Sequence, residues 1–260
     1  MQPMVNLALR VLREAGEELV HAVERFDFER SSDQEISKFV TDSAIRTEKQ
    51  IIFKLRKHFP EDTFQGRETG TQERDEKTGN KWLINPLEGQ DNFRGGLPLY
   101  SLVLACQIEG KTEHALIINP ITGQEFTASR GRGAELSGRR IRASEKIKLS
   151  QSTVAIKFPG IAQDERNDRI RQRIGNLSQN TRMIRALGDD ALSLAHLAAG
   201  QVDAAWLNNV DSITLQAGAL IAKEAGVLIT DFSGGPDYES EGDVIASNPK
   251  LLKSVIKSSL

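Results

Sequence analysis

The chain has 260 residues, with 34 Lys and Arg against 36 Asp and Glu, a formal net charge of −2, and 38% hydrophobic content. That balance excludes a general electrostatic pull toward nucleic acid or an anionic membrane, and it is ordinary for a soluble protein burying a large core in one big domain or two intimate ones. No apolar run approaches the ~20 residues of a membrane span, Arg10, Arg13, Glu14 and Glu17 interrupt the opening residues so that no signal peptide is expected, and the single cysteine, Cys106, sits in an apolar run as a buried thiol suited to a reducing cytoplasm.

Val5, Ala8, Val11, Leu12, Ala15 and Leu19 recur at helical spacing and predict an amphipathic first helix. A second helix is expected from about Asp42 to His58, with Ile45, Ile51, Ile52 and Leu55 as its stripe and Pro60 beyond its end. Residues Thr69 to Lys81 are polar and read as an exposed loop. The segment from Trp82 to Phe93 then reads as a strand entering a tight turn that opens a helix: Pro86 restricts the backbone, and Gly89 permits the sharp reversal. Strands are predicted at Leu99–Ile108, His114–Ile118 and Glu125–Ala128, followed by a hairpin over Gly131–Arg142 with Ser137-Gly138 at its tip. Residues 1–148 therefore form helices on a mainly antiparallel sheet.

Residues 149–260 alternate instead. Strands are expected at Thr153–Phe158, Thr181–Arg185, Ala204–Leu207, Val227–Asp231 and Val244–Ser247. Helices are expected at Asp164–Gly175, Ala191–Ala199, Leu215–Ala225 and Pro249–Ser258, with Gly226 as a helix-ending glycine. His21, His58, His114 and His196 are scattered without metal-ligand spacing. Gly131 and Gly133 lack the strand–loop–helix context of a dinucleotide fingerprint. Arg130, Arg132, Arg139, Arg140 and Arg142 form the most basic stretch, read as a solvated hairpin in preference to an RNA surface.

The segment Trp82-Leu83-Ile84-Asn85-Pro86-Leu87-Glu88-Gly89-Gln90-Asp91-Asn92-Phe93 resembles the signature of the inositol monophosphatase family, W-[IV]-[IV]-D-P-[IL]-D-G-T-x-N-F. Its Trp, Pro, Leu, Gly, Asn and Phe positions are kept. A second signature, W-D-x-A-A-G-x-[LI]-[LIV]-x-x-E-A-G-G, is similar to Ile213–Val227, and Met1–Arg10, Arg130–Ala134 and Asn248–Lys250 look like the bacterial SuhB branch. The resemblance covers nearly the whole chain. It implies an α/β fold layered as an α-β-α-β-α sandwich, a homodimer, and Mg²⁺-dependent hydrolysis of a phosphate monoester. It also implies a protein partner in the transcription complex, since the SuhB branch partners NusA in ribosomal RNA antitermination; no membrane partner is implied.

Carried over position by position, the family's chemistry is absent. Arg67 stands where the resemblance implies a metal-binding Glu, Asn85 and Glu88 where it implies the two signature Asp residues, and Ala44 and Thr214 where it implies two further Asp residues. Leu87 keeps only the backbone carbonyl that the family offers to the metal; Gln90 replaces the water-positioning Thr, Leu207 a sugar-binding Glu, and Gly188-Asp189-Asp190 the G-S-A motif. The five acidic positions thus carry no net formal charge, one Arg offsetting one Glu. The expectation is that Arg67 takes the place of the ion and pairs with Glu88, with no catalytic residues intact and no metal or other cofactor bound. Two alternatives stay open. Glu68, Glu88 and Asp91 are candidate ligands of a rebuilt metal site, which would serve a working phosphatase on inositol-1-phosphate or a related sugar phosphate. Gly89, Gln90, Asp91 and Arg94 are a candidate passive anion site at the turn. Other acids nearby, including Asp189 and Asp190, are read as helix caps.

Overall fold

The computed structural model describes residues 3–72 and 79–259, arranged as five alternating layers of helix and sheet. Helices α1 (Pro3–Arg25) and α2 (Asp33–His58) form the first layer. The second is an eight-stranded sheet of β1 (Thr63–Gly66), β2 (Gly70–Gln72), β3 (Lys81–Glu88), β4 (Ser101–Ile108), β5 (Lys111–Asn119), β6 (Gln124–Ser129), β7 (Gly133–Leu136) and β8 (Arg139–Arg140), ordered β2-β1-β3-β4-β5-β6-β7-β8. Among the described residues only its β1–β3 pair is parallel. Short α3 (Gln90–Arg94) follows β3 directly. The second sheet runs β10-β9-β11-β13-β12, from β9 (Thr153–Ile156), β10 (Met183–Arg185), β11 (Ala204–Leu207), β12 (Leu228–Thr230) and β13 (Val244–Ser247). Helices α5 (Asp190–Ala198) and α6 (Ser212–Glu224) lie between the sheets, while α4 (Glu165–Asn180) and α8 (Leu252–Ser258) cover the outer face; α7 (Tyr238–Glu241) is a single turn.

Period-two alternation along the strands builds the layers. Trp82 and Ile84 of β3, with Leu102, Leu104 and Cys106 of β4, pack on α1 and α2. Their neighbours Leu83, Val103 and Ala105 face the opposite way, onto Ala191 and Ala195 of α5 and Ile213 and Ala217 of α6. Ala205 and Leu207 of β11 meet the other side of α5 and α6 through Leu194, Leu197 and Leu215. Ala204 and Trp206 turn outward, to Ile170 and Ile174 of α4 and Val255 of α8. Helices α5 and α6 are buried on two faces, which is why they are Ala- and Leu-rich throughout their length. Small residues let the pair pack closely: a Cβ on Gly218 would overlap Leu194. Cys106 is fully buried, and burial, with the charges of Asp62 and Glu113 adding to it, pushes its thiol up to about 12.

Two features pin the ends of these layers. Ser32 and Glu35 form a reciprocal capping box at the start of α2. The Glu224 carboxylate, near the end of α6, accepts from Gly131 N–H and Gly133 N–H, both at 2.7 Å, tying α6 to the turn between β6 and β7.

Several boundaries differ from the sequence reading. Helix α2 begins nine residues before the expected Asp42, at the Ser32–Glu35 box, with Ile36, Phe39 and Val40 extending its apolar stripe toward the N-terminus. The expected loop from Thr69 contains strand β2, which pairs with the unforeseen β1; residues 73–78 lie outside the described residues. Helix α4 continues through Gly175 to Asn180 because Ile170, Ile174 and Leu177 keep one apolar stripe. Among the described residues no helix is long and apolar enough to cross a membrane.

Each of the two Glu224 bonds is a charge-assisted hydrogen bond to backbone, worth about 1.5–3 kcal/mol. Glu224→Ala is therefore expected to lower stability by roughly 2–4 kcal/mol, and Glu224→Gln by less; urea unfolding midpoints at constant slope check this.

Candidate functional site

The site forms where β1, β3, α3 and α6 converge. Strand β3 carries Asn85 and Glu88, and its register with β4 shifts between them, opposite Val103 and Ser101. Gly89 then takes a left-handed conformation, φ 80°, and caps α3; a Cβ there would lie 2.8 Å from the Leu99 carbonyl. Thr214 enters from the first turn of α6, whose cap is Asp211. Arg67 follows β1. Its turn is held by the buried Glu48 of α2, which accepts from Glu68 N–H and Thr69 N–H at 2.8 Å and from the Thr69 hydroxyl at 2.5 Å. A Cβ on Gly66 would overlap that carboxylate, so the close approach requires glycine.

Three donors meet on one carboxylate oxygen. Glu88 Oε2 accepts from Asn85 Nδ2 at 2.6 Å, Arg67 Nη1 at 3.1 Å and the Thr214 hydroxyl at 3.1 Å. Asn85 Nδ2 also donates to Thr214 Oγ1 at 2.9 Å, while its Oδ1 accepts from Leu87 N–H at 3.2 Å. Asn85 and Thr214 are fully buried and Glu88 is 8% exposed. Arg67 reaches in from the surface with about a third of its side chain exposed, and its Nε lies 4.0 Å from Asp211. The pairing of Arg67 with Glu88 is thus present, as a neutral network sealed by an amide and a hydroxyl.

The remaining sequence candidates divide. Ala44 and Leu87 are fully buried in the core between α1, α2 and the first sheet, and Leu207 is buried in the core on the second sheet. Gln90 donates to Glu68 Oε1 at 3.1 Å, so that oxygen of Glu68 is engaged by a neighbour. Asp91 is exposed on the cleft lining. Arg94 is not brought to the turn: α3 is only five residues long, Arg94 stands at its far end, and its guanidinium donates to the Asp33 carbonyl at 3.2 Å. Among the described residues, no group of three or more His, Cys, Asp or Glu side chains is placed to hold a metal ion.

A cleft of about 460 Å³ opens over this network, lined by Arg67, Glu88, Gln90, Asp91, Lys157 and Asp190, with Phe158 at its side. Lys157 was missed in the sequence. Its Nζ pairs with Asp190 at 2.5 Å and donates to the Asn209 carbonyl at 3.1 Å. The available signal was a cation directly after the apolar strand Thr153–Ile156, where it emerges beside a helix opened by two Asp residues. Asp189 caps α5 as expected, accepting from Leu192 N–H at 2.6 Å and from the Ser101 hydroxyl at 2.8 Å. Burial, then the negative charge of Glu88, pushes Asp189 well above the usual carboxylate range. Burial also lifts Asp190 to about 6, with Lys157 pulling the other way.

A match to the inositol monophosphatase family model extends over residues 1–260. The Nus factor SuhB of Pseudomonas aeruginosa is 36% identical over 260 residues, covering 98% of this chain and 95% of that protein. Among solved structures, the extragenic suppressor protein suhB of Bartonella henselae superposes with a TM-score of 0.86 at 27% identity, covering 99% of both chains. The Thermotoga maritima IMPase superposes with a TM-score of 0.84 at 26% identity, over 99% of this chain and 97% of that one.

Both Asp189 and Asp190 hold protons more tightly folded than unfolded, so their contribution to stability is greatest below about pH 4 and is lost as pH rises through about 6 and beyond. Asp189→Asn keeps a capping oxygen and removes the ionisable group. It is expected to raise the Tm relative to the parent at about pH 8 by several degrees and to leave it nearly unchanged at about pH 4, read by calorimetric scans across pH.

Proposed function

This chain belongs to the inositol monophosphatase family, and on that premise we propose that it has set aside metal-dependent phosphatase chemistry and acts by binding a protein of the transcription machinery. One observation carries the first half: the single family acid still in place, Glu88, spends its Oε2 on Asn85, Thr214 and the Arg67 guanidinium. Mg²⁺ demands near-octahedral oxygen ligands at ~2.0–2.1 Å. The groups present do not fit it, because Asn85, Thr214 and Arg67 all direct hydrogens at the same oxygen and Ala44 has no ligand atom. Arginine does not deprotonate to make way for a cation. A carboxylate already satisfied by a fixed guanidinium gains little from exchanging it for an ion that must first shed water.

The second half rests on kinship. The Pseudomonas aeruginosa relative is named a Nus factor, and the coverage of both chains is nearly complete. With the cleft chemistry set aside, the surface of the scaffold is the part left to act, and NusA is the partner to test first. The same kinship extends the proposal to a cytoplasmic homodimer.

Purified protein is expected to show no heat of binding with millimolar Mg²⁺ in titration calorimetry and no release of phosphate from inositol-1-phosphate above the rate without protein. It is expected to retain purified NusA in a pull-down. Mg²⁺-dependent turnover like that of an active family member overturns the first half; failure to hold NusA overturns the second.

A further inference from the structure

A hollow of about 370 Å³ lies on the first sheet at β6 and β7, and it shares no lining residue with the cleft. Thr127 stands opposite Glu135 and Ser129 opposite Gly133, so these four share one face of the sheet. Val5, in the first turn of α1, forms a wall, and Arg132 stands at the edge. The polar groups here are unspent. Thr127 is only 4% exposed, yet its hydroxyl makes no hydrogen bond among the described residues. Polar groups withdrawn from water are normally paired, so this one is open to a ligand. Among the described residues the side chains of Arg132, Arg140 and Glu135 form no ion pair and no hydrogen bond, although Arg130 and Arg142 of the same arginine-rich stretch are engaged by Glu113 and the Glu224 carbonyl. Arg140 is opposite Glu135 in register, but its guanidinium lies over Gly133, where a Cβ would come within 3.1 Å of it. Ser129 is held by His114, whose Nδ1 is 2.9 Å from the Ser129 hydroxyl.

We propose that this hollow binds a free α-amino acid, with its carboxylate on Arg132 and Arg140, its ammonium on Glu135, and a hydrogen bond to the Thr127 hydroxyl. The argument is the pairing of opposite charges that face one space and leave each other alone. Glu135 and Gly133, beneath the Arg140 guanidinium, are two residues apart on β7, about 7 Å at ~3.4 Å per residue. A ligand with opposite charges on either side of one carbon bridges such a gap with a hydrogen bond of ~2.9 Å at each end. Other ligand classes leave a group unanswered. A bare anion, inorganic phosphate included, meets the guanidinium groups but sets a like charge beside Glu135. A nucleotide lacks its flat wall, since no aromatic ring is among the described residues that line the hollow. A divalent cation finds one carboxylate among cations, and no metal-holding cluster exists among the described residues. A peptide end carries only one of the two charges.

The test is titration calorimetry of the whole protein with each standard L-α-amino acid at millimolar concentration. The expected result is one-to-one binding of at least one of them. Converting that ligand's carboxylate to a carboxamide, or acetylating its amine, is expected to weaken binding roughly tenfold or more, because each change removes a charge-assisted contact. Glu135→Gln and Arg132→Gln are expected to do the same, whereas Lys253→Gln, on the exposed side of α8, leaves binding unchanged. Thr127→Val is expected to weaken binding severalfold without lowering the Tm of the unliganded protein, because the hydroxyl has no partner within the fold. Absence of binding by every amino acid overturns the inference. So does binding that survives Glu135→Gln or Arg132→Gln, binding that tolerates the amide and acetyl forms alike, or inorganic phosphate bound as tightly, which would mark a simple anion site.

Discussion

The Glu88 carboxylate is the point on which the arrangement of the cleft depends. It is a nearly buried negative charge, and such a group persists only when paired and hydrogen-bonded. Its three donors come from different parts of the chain: Arg67 after β1, Asn85 within β3 and Thr214 at the start of α6. Satisfying one oxygen therefore joins the first sheet to the helix layer between the sheets. Asn85 does double service, since it also holds Leu87 N–H at the register shift where the strand bends toward Gly89. Asn85, Thr214 and Arg67 thus balance the charge of Glu88 and close the floor of the cleft together.

Similar logic recurs wherever backbone must turn inside the layers. Glu48 holds the Gly66–Thr69 turn through two amides and a hydroxyl, and Glu224 holds the Gly131–Gly133 turn through two amides. Asp62 accepts from the Asn80 amide at 2.9 Å and from the Trp82 indole at 2.7 Å at the entry to β3. In each case an ionised oxygen meets backbone donors that the sheet ladder leaves unpaired, and charge-assisted bonds of this kind are among the stronger ones available. Gly66 is there because the Glu48 carboxylate comes so close, whereas Gly131 and Gly133 serve the Glu224 turn through left-handed backbone, φ 71° and 86°.

The layer order was legible in the sequence because strand alternation and helix stripes are properties of adjacent residues: Trp82 against Leu83, Val103 against Leu104. The Arg67–Glu88 pair was legible because the family resemblance set both residues at positions that it assigns to one centre. What escaped had non-local or subtle causes. Strand β1 is only four residues long, with little apolar content, and exists through its pairing with β3. Helix α2 starts at the Ser32–Glu35 capping box, and Ile36, Phe39 and Val40 already carry its apolar stripe there, a signal the reading passed over. Arg94 was expected at the turn by proximity in sequence, yet the length of α3 carries it to Asp33. Lys157 and Asp190 stand 33 residues apart and meet only once α5 and β9 are packed.

The neutral network at Glu88 has a consequence for how this lineage can change. Placing Asp at position 85 alone sets a second carboxylate against Glu88, and like charges at short range in a buried site repel strongly. Removing Arg67 alone strips a nearly buried acid of its counter-charge. Each single change that makes this pocket more acidic or removes its cation passes through a less stable protein, so the arrangement behaves as a ratchet: easy to hold, and altered only if several positions change together.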